Sequence, residues 1–135
     1  MRRGANAYWI VEYDSTNQIA KVKRTEAPFA STADMEAAFD LLRTTFAGVE
    51  RGRHALLFDI RVGPMKNEPV FERAFARQRR EITSGWRGVI VLVQSAIGLV
   101  QVQRHGREDG LDYFVTTDEA EALERARILA RSGIR

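Results

Sequence analysis

At 135 residues the chain has one domain's length, by the usual ~100–200 residues per domain, and reads as a single domain over residues 1–135. Hydrophobic residues at 44% and charged residues at 29% exclude a disordered or fibrous chain. A chain of this size buries roughly 65–70% of its unfolded surface, enough for a core without staples. With no cysteine, disulfides, thiolate metal sites and cysteine nucleophiles are excluded together. The longest apolar run, residues 89–93, is far short of the ~20 residues a membrane span needs. Met1-Arg2-Arg3 leads into no apolar stretch or cleavage pattern. The expectation is a cytoplasmic protein.

The net charge of +3 and the pI near 9.7 raise the question of nucleic acid. Apart from Lys21, Lys23 and Lys66 every basic residue is arginine, the better fork for phosphates and carboxylates. The arginines, however, alternate with acids. Arg73, Arg77, Arg79 and Arg80 share a stretch with Glu72 and Glu81, and Arg104 and Arg107 sit beside Glu108 and Asp109. Interleaved signs describe solvated helix faces rather than a phosphate track. No aromatic residues interleave the basic clusters to form a stacking platform, so nucleic acid is not the expected partner.

In chain order, Tyr8-Trp9-Ile10-Val11-Glu12-Tyr13 is aromatic and β-branched, a strand. Turn residues at 14–17 lead to a second strand over 19–23, with Ile19, Lys21 and Lys23 alternating against Ala20 and Val22, so a hairpin is expected. Ser31 caps a helix whose stripe is Met35, Ala38, Phe39, Leu42 and Phe46, stopped at Gly48. Ala55-Leu56-Leu57-Phe58 is an unbroken apolar run, the pattern of a strand buried on both faces. A loop from Asp59 through Pro64 follows. Asn67 as N-cap, Glu68 in the first turn and Pro69 start a second helix, with Phe71, Ala74, Phe75, Gln78 and Ile82 inward and arginine on the other face. Gly85 ends it, and residues 89–93 form a second doubly buried strand. Residues 97–104 alternate like a strand, yet a helix capped by Ser95 would turn Leu99 and Val102 inward, with Val100 a further candidate. Residues 111–115 are a strand. Thr116-Thr117-Asp118-Glu119 is a capping box for a last helix with Ala120, Leu123, Ala126 and Ala130 inward. Strands alternating with helices imply an α/β sandwich with a parallel centre.

This order resembles the STAS fold of anti-sigma factor antagonists. Residues 54–115 are similar to the SpoIIAA-like (STAS/SEC14-like) bacterial proteins. Leu57-Phe58-Asp59-Ile60-Arg61, Asn67-Glu68-Pro69-Val70-Phe71-Glu72, Val91-Leu92-Val93 and Gly98 through Arg104 carry the likeness, with Arg107-Glu108-Asp109-Gly110 and Asp118 through Leu123. The resemblance implies a mixed, mostly parallel sheet of about five strands with about four helices, in the order β-β-α-β-α-β-α-β-α, and so a helix at residues 95–106. It also implies a regulatory role through binding another protein. The chain departs from phosphorylated antagonists at one place. Arg61-Val62-Gly63-Pro64-Met65-Lys66-Asn67-Glu68-Pro69 contains no Ser or Thr for a kinase to modify.

Ligands and partners of open α/β sheets meet the loops beyond the strands' carboxyl ends. The candidate docking surface is therefore Asp59, Arg61, Pro64, Asn67 and Glu68, with Arg73 and Arg77 as a charged rim. The competing reading is that Asp59 and Arg61 pair with each other and Asn67 only caps. Arg61→Glu is expected to weaken partner binding at nearly unchanged melting temperature. Self-association could use the same surface or an exposed edge strand at 8–13. His54 and His105 lack metal-ligand spacing and read as surface or half-buried imidazoles. No serine lies in a nucleophile elbow and no phosphate-loop or dinucleotide fingerprint is present, so neither an enzyme nor a cofactor is expected. Trp86 reads as a lid on the core. The alternative function is a lipid or small apolar ligand in a cavity lined by the helix stripes, the SEC14-like side of the resemblance. Such a cavity needs volume the core does not fill.

Overall fold

The computed structural model describes residues 2–63 and 68–132. Pro64 and Asn67 of the expected docking loop lie outside them. The described elements are β1 (Arg2–Ala5), β2 (Trp9–Asp14), β3 (Ile19–Arg24), α1 (Thr32–Phe46), β4 (Ala55–Asp59), α2 (Pro69–Thr83), β5 (Gly88–Leu92), α3 (Ala96–Asp109), β6 (Tyr113–Thr116) and α4 (Glu119–Ser132), with one 3-10 turn at Arg51–Arg53. The six strands form one sheet in spatial order β1-β2-β3-β4-β5-β6. The first three are antiparallel, and β3 through β6 are parallel.

The sheet has one strand more than the roughly five expected. Arg2-Arg3-Gly4-Ala5 carries no alternation to announce a strand, and its pairing with β2 makes it one. Gly4 lets β1 lie close to α1, since a Cβ there would stand 3.2 Å from Leu41 Cδ1. The strand at residues 8–13 is consequently not an edge. It pairs on both sides, and β1 and β6 are the edges.

Each parallel crossover steps one strand in the same direction. Crossovers of one hand then place their helices on one face of the sheet. Residues of α1, α2 and α3 accordingly share a core with Trp9, Val11, Val22, Leu56, Phe58, Val89 and Val91. The last described helix, α4, packs on the opposite face against Ile19, Ala55, Leu57, Ile90 and Leu92. This sandwiching explains the unbroken apolar runs of β4 and β5, whose alternate residues enter the two cores. Beyond Ile19 only one face of β3 is covered, so Ala20, Val22 and Arg24 point into the larger core while Lys21 and Lys23 face solvent.

The starts of α1 and α3 follow the sequence, whereas α2 has Glu68 at its N-cap rather than in its first turn, and α4 is not capped by the expected box of Thr116 and Glu119. Ser31 Oγ accepts from the Asp34 N–H at 3.1 Å, and Ser95 Oγ accepts from the Gly98 N–H at 3.2 Å. The ambiguous segment is thus the helix α3. It ends at Gly110, whose φ of +70° favours glycine. Val102 is buried and Leu99 half-buried, but Val100 faces solvent. In α4 the cap is Asp118, whose carboxylate accepts from the Ala120 and Glu121 N–H groups. Its buried stripe is Ala122, Ala126 and Ala130, four residues apart, and the expected Ala120 is exposed. The arginine face of α2 is also not uniform. Arg79 turns inward and makes a two-pronged bond to Asp109 of α3 at 2.7 and 2.9 Å.

His54 is buried rather than at the surface. Its Nδ1 donates to the Glu50 carbonyl at 2.7 Å, which leaves Nε2 to accept from the Tyr13 hydroxyl at 2.9 Å. Trp86 closes the core as expected, edge-on to Phe46 at 5.2 Å, with its indole N–H donating to the Ile82 carbonyl.

Candidate functional site

The carboxyl ends of the four parallel strands bring Arg24, Asp59, Leu92 and Thr116 to one rim of the sheet. Asp59 closes β4 and holds the loop that follows it. Its Oδ1 accepts from the Arg61 backbone N–H and Nε, both at 3.1 Å, and its Oδ2 accepts from Arg61 Nη2 at 2.8 Å. The same Nη2 donates to Glu119 Oε2 at 3.0 Å. Glu119 is the first residue of α4, where a carboxylate also complements the helix dipole. One guanidinium therefore clips the loop after β4 to the start of α4.

Electrostatics follow that geometry. Burial alone would push the Asp59 carboxyl up, but the Arg61 hydrogen bonds and charge outweigh it, with Lys23 on the neighbouring strand, and hold it below its ordinary value. Arg61 is raised, by the Asp59 hydrogen bond first and Glu119 after it. Of the residues expected to form the surface, the structure joins Asp59 and Arg61 directly, so the pairing reading is realised. Glu68 is exposed and precedes α2, and its side chain makes no capping hydrogen bond. Arg73 and Arg77 are exposed one turn apart on α2. Glu119 belongs to the cluster, although 58 residues separate it from Arg61. Only its acidic first-turn position could have pointed to it.

Two open depressions mark the surface. One is lined by Glu26, Pro28, Arg61, Val62 and Gly63, beside the Arg61 clip. The other lies between α2 and α3 and is lined by Glu72, Ala96, Ile97, Val100, Gln101 and Arg104. Neither is the enclosed apolar chamber that the lipid alternative requires. Trp9, Phe29, Phe39, Phe58, Phe71 and Phe75 interlock through ring contacts of 5.3–6.4 Å where such a chamber would have to lie. Among the described residues no group of three or more His, Cys, Asp or Glu side chains could hold a metal ion. No described helix is long and apolar enough to cross a membrane.

No protein-family model matches the chain, and no curated protein matches it. It is similar to a solved structure of an uncharacterised protein from the DUF3478 family with a SpoIIAA-like fold, from Shewanella loihica PV-4. The two are 14% identical, align over 91% of this chain and 98% of that one, and superpose with a TM-score of 0.61. Likeness at this identity is likeness of fold. The fold is SpoIIAA-like, as the resemblance of the sequence to the STAS class implied.

Proposed function

We propose that the chain is a cytoplasmic, non-catalytic regulatory module that binds another protein through the 59–68 loop, with Arg73 and Arg77 on the rim. The observation in its favour is the clip of Arg61 between Asp59 and Glu119. It fixes the start of a charged loop, Asp59 and Arg61, at the strand ends, the position where open α/β sheets present binding surfaces. The SpoIIAA-like fold agrees with that placement. The loop's lack of a serine or threonine makes binding here independent of phosphorylation at that place.

Arg61→Glu is a poor test, because it would gather three carboxylates. Arg73→Glu with Arg77→Glu is cleaner, since both side chains are exposed and surface changes usually stay within ~0.5 kcal/mol. Affinity capture from the source cell's lysate, read by mass spectrometry, is run with the native chain and this variant. A protein retained by the first and lost by the second, at equal melting temperature, supports the reading. Equal retention by both, or capture of nothing but the chain itself, removes it.

A further inference from the structure

Arg24 is the last residue of β3 and shares the inward parity of Ala20 and Val22. Its side chain therefore enters the larger core, where the residue is only 6% exposed. The other buried or half-buried arginines meet carboxylates or several carbonyls. Arg79 has Asp109, Arg61 has Asp59, and Arg51 reaches the carbonyls of Glu81, Ile82 and Ser84. Arg24 has no carboxylate among the described residues. Its Nη1 donates to the Thr25 carbonyl at 2.9 Å and at 3.4 Å to that of Tyr8, and its Nη2 is buried without an acceptor. The rings of Phe29, Trp9 and Tyr8, with centroids 4.3, 5.5 and 5.8 Å from the guanidinium carbon, cage it. Aromatic faces favour a cation but leave its N–H groups unsatisfied.

A second orphan donor lies in the same cage: the Trp9 indole N–H is buried without an acceptor. The remaining orphan among the described residues, Gln18 Oε1, is an acceptor at the opposite end of β3. So both donors that lack an acceptor belong to one cluster, at the carboxyl end of the parallel strands. Above them lies Gly63, with φ +108°; a Cβ there would stand 2.7 Å from Arg24 Cγ and 2.9 Å from the Thr25 carbonyl oxygen. Only a bare backbone fits so close to the Arg24 stem, and Gly63 also lines the depression formed with Glu26, Pro28, Arg61 and Val62. Gly63 thus both lines that depression and lies against the stem of Arg24, whose charge has no counter-ion among the described residues. Leaving such a charge unpaired is expensive.

We propose that the depression at Gly63 admits one oxyanion group, a carboxylate or a phosphate, and that Arg24 binds it, with Trp9 as neighbour and reporter. The site shares Arg61, Val62 and Gly63 with the proposed docking loop, but the anion titration reads it with no protein partner present, so the two readings can fail separately. Glu26 on the rim opposes the incoming charge and weakens binding.

The test uses amide, indole and arginine Nε–H nuclear magnetic resonance signals of the whole chain, titrated with inorganic phosphate and separately with acetate at constant ionic strength. Trp86 is an internal control, because its indole N–H is already bonded to Ile82. Saturable shifts of the Trp9 indole and Arg24 Nε–H signals, with the Trp86 indole still, are expected for at least one anion. The anion that saturates names the source, phosphate-bearing or carboxylate-bearing. Glu26→Gln, an exposed change, is expected to tighten binding roughly three-fold. Trp9 and Arg24 signals that move no more than that of Trp86 with either anion would overturn the proposal. So would saturation that Glu26→Gln leaves unaltered.

Discussion

Removing the Asp109 carboxylate leaves the Arg79 guanidinium without its counter-ion where the side chain is only 10% exposed. Asp109→Ala should therefore cost about 3–5 kcal/mol, read as a lower urea midpoint, whereas replacing both partners with apolar residues of similar volume should recover most of it. The Tyr113 hydroxyl, bonded to Thr83 and Asp109, lies in the same network, so the loss is shared among three elements. His105 borders it. Burial, then the Arg79 charge, push its imidazole below the ordinary 6.5. The unfolded chain then takes up a proton at this position before the folded one does, so stability falls as pH drops through about 6.5. His105→Gln should flatten that limb of a melting-temperature profile, and an unchanged slope would refute the assignment. Asp59 acts lower on the scale. Its depressed carboxyl stabilises the fold above its unfolded value, and that contribution disappears as acid titrates the folded group.

At the scale of elements, α3 depends on its ends. Its local pattern fits a strand as well as a helix, and the Ser95 cap and the Gly110 stop set its limits. Ser95→Ala should cost about 1 kcal/mol, and Gly110→Ala a similar amount because of its positive φ. α2 is the converse case. Its N-cap, Glu68, has extended backbone but no side-chain bond to the first turn. Glu68→Asp should raise stability by about 0.5–1 kcal/mol, visible as a higher urea midpoint. A null result would mean that residue 68 does not cap the helix in solution.

For the whole molecule, the two faces of the sheet differ in kind. Three helices and a set of aromatic rings cover one, and α4 alone covers the β4–β6 part of the other through a stripe of alanines. Small side chains bring α4 close to the sheet, so close that a Cβ on Gly88 would stand 2.5 Å from Leu129 Cδ1. Ala126→Leu should lower stability by about 1–3 kcal/mol through overpacking. Over β2 and the part of β3 beyond Ile19 this face stays open, and Ile10 lies exposed between Glu12, Lys21 and Lys23. Self-association, if analytical ultracentrifugation registers it, is expected to use that bare end or the β1 and β6 edges.

The α/β class, the doubly buried runs of β4 and β5, the helix stripe of α1 and the Ser31 cap are local patterns, legible because burial on one or two faces imposes a period on neighbouring residues. The parity that sends Arg24 inward with Ala20 and Val22 is legible in the same way. What the residues do once inside depended on partners far along the chain. Arg61 joined to Glu119, Arg79 to Asp109, His54 buried under Tyr13, and β1 made a strand by β2 have no local signature. A salt bridge, a ladder or an aromatic cage exists only when folding brings its two halves together, and those pairings decided which charges are satisfied and that Arg24 is not.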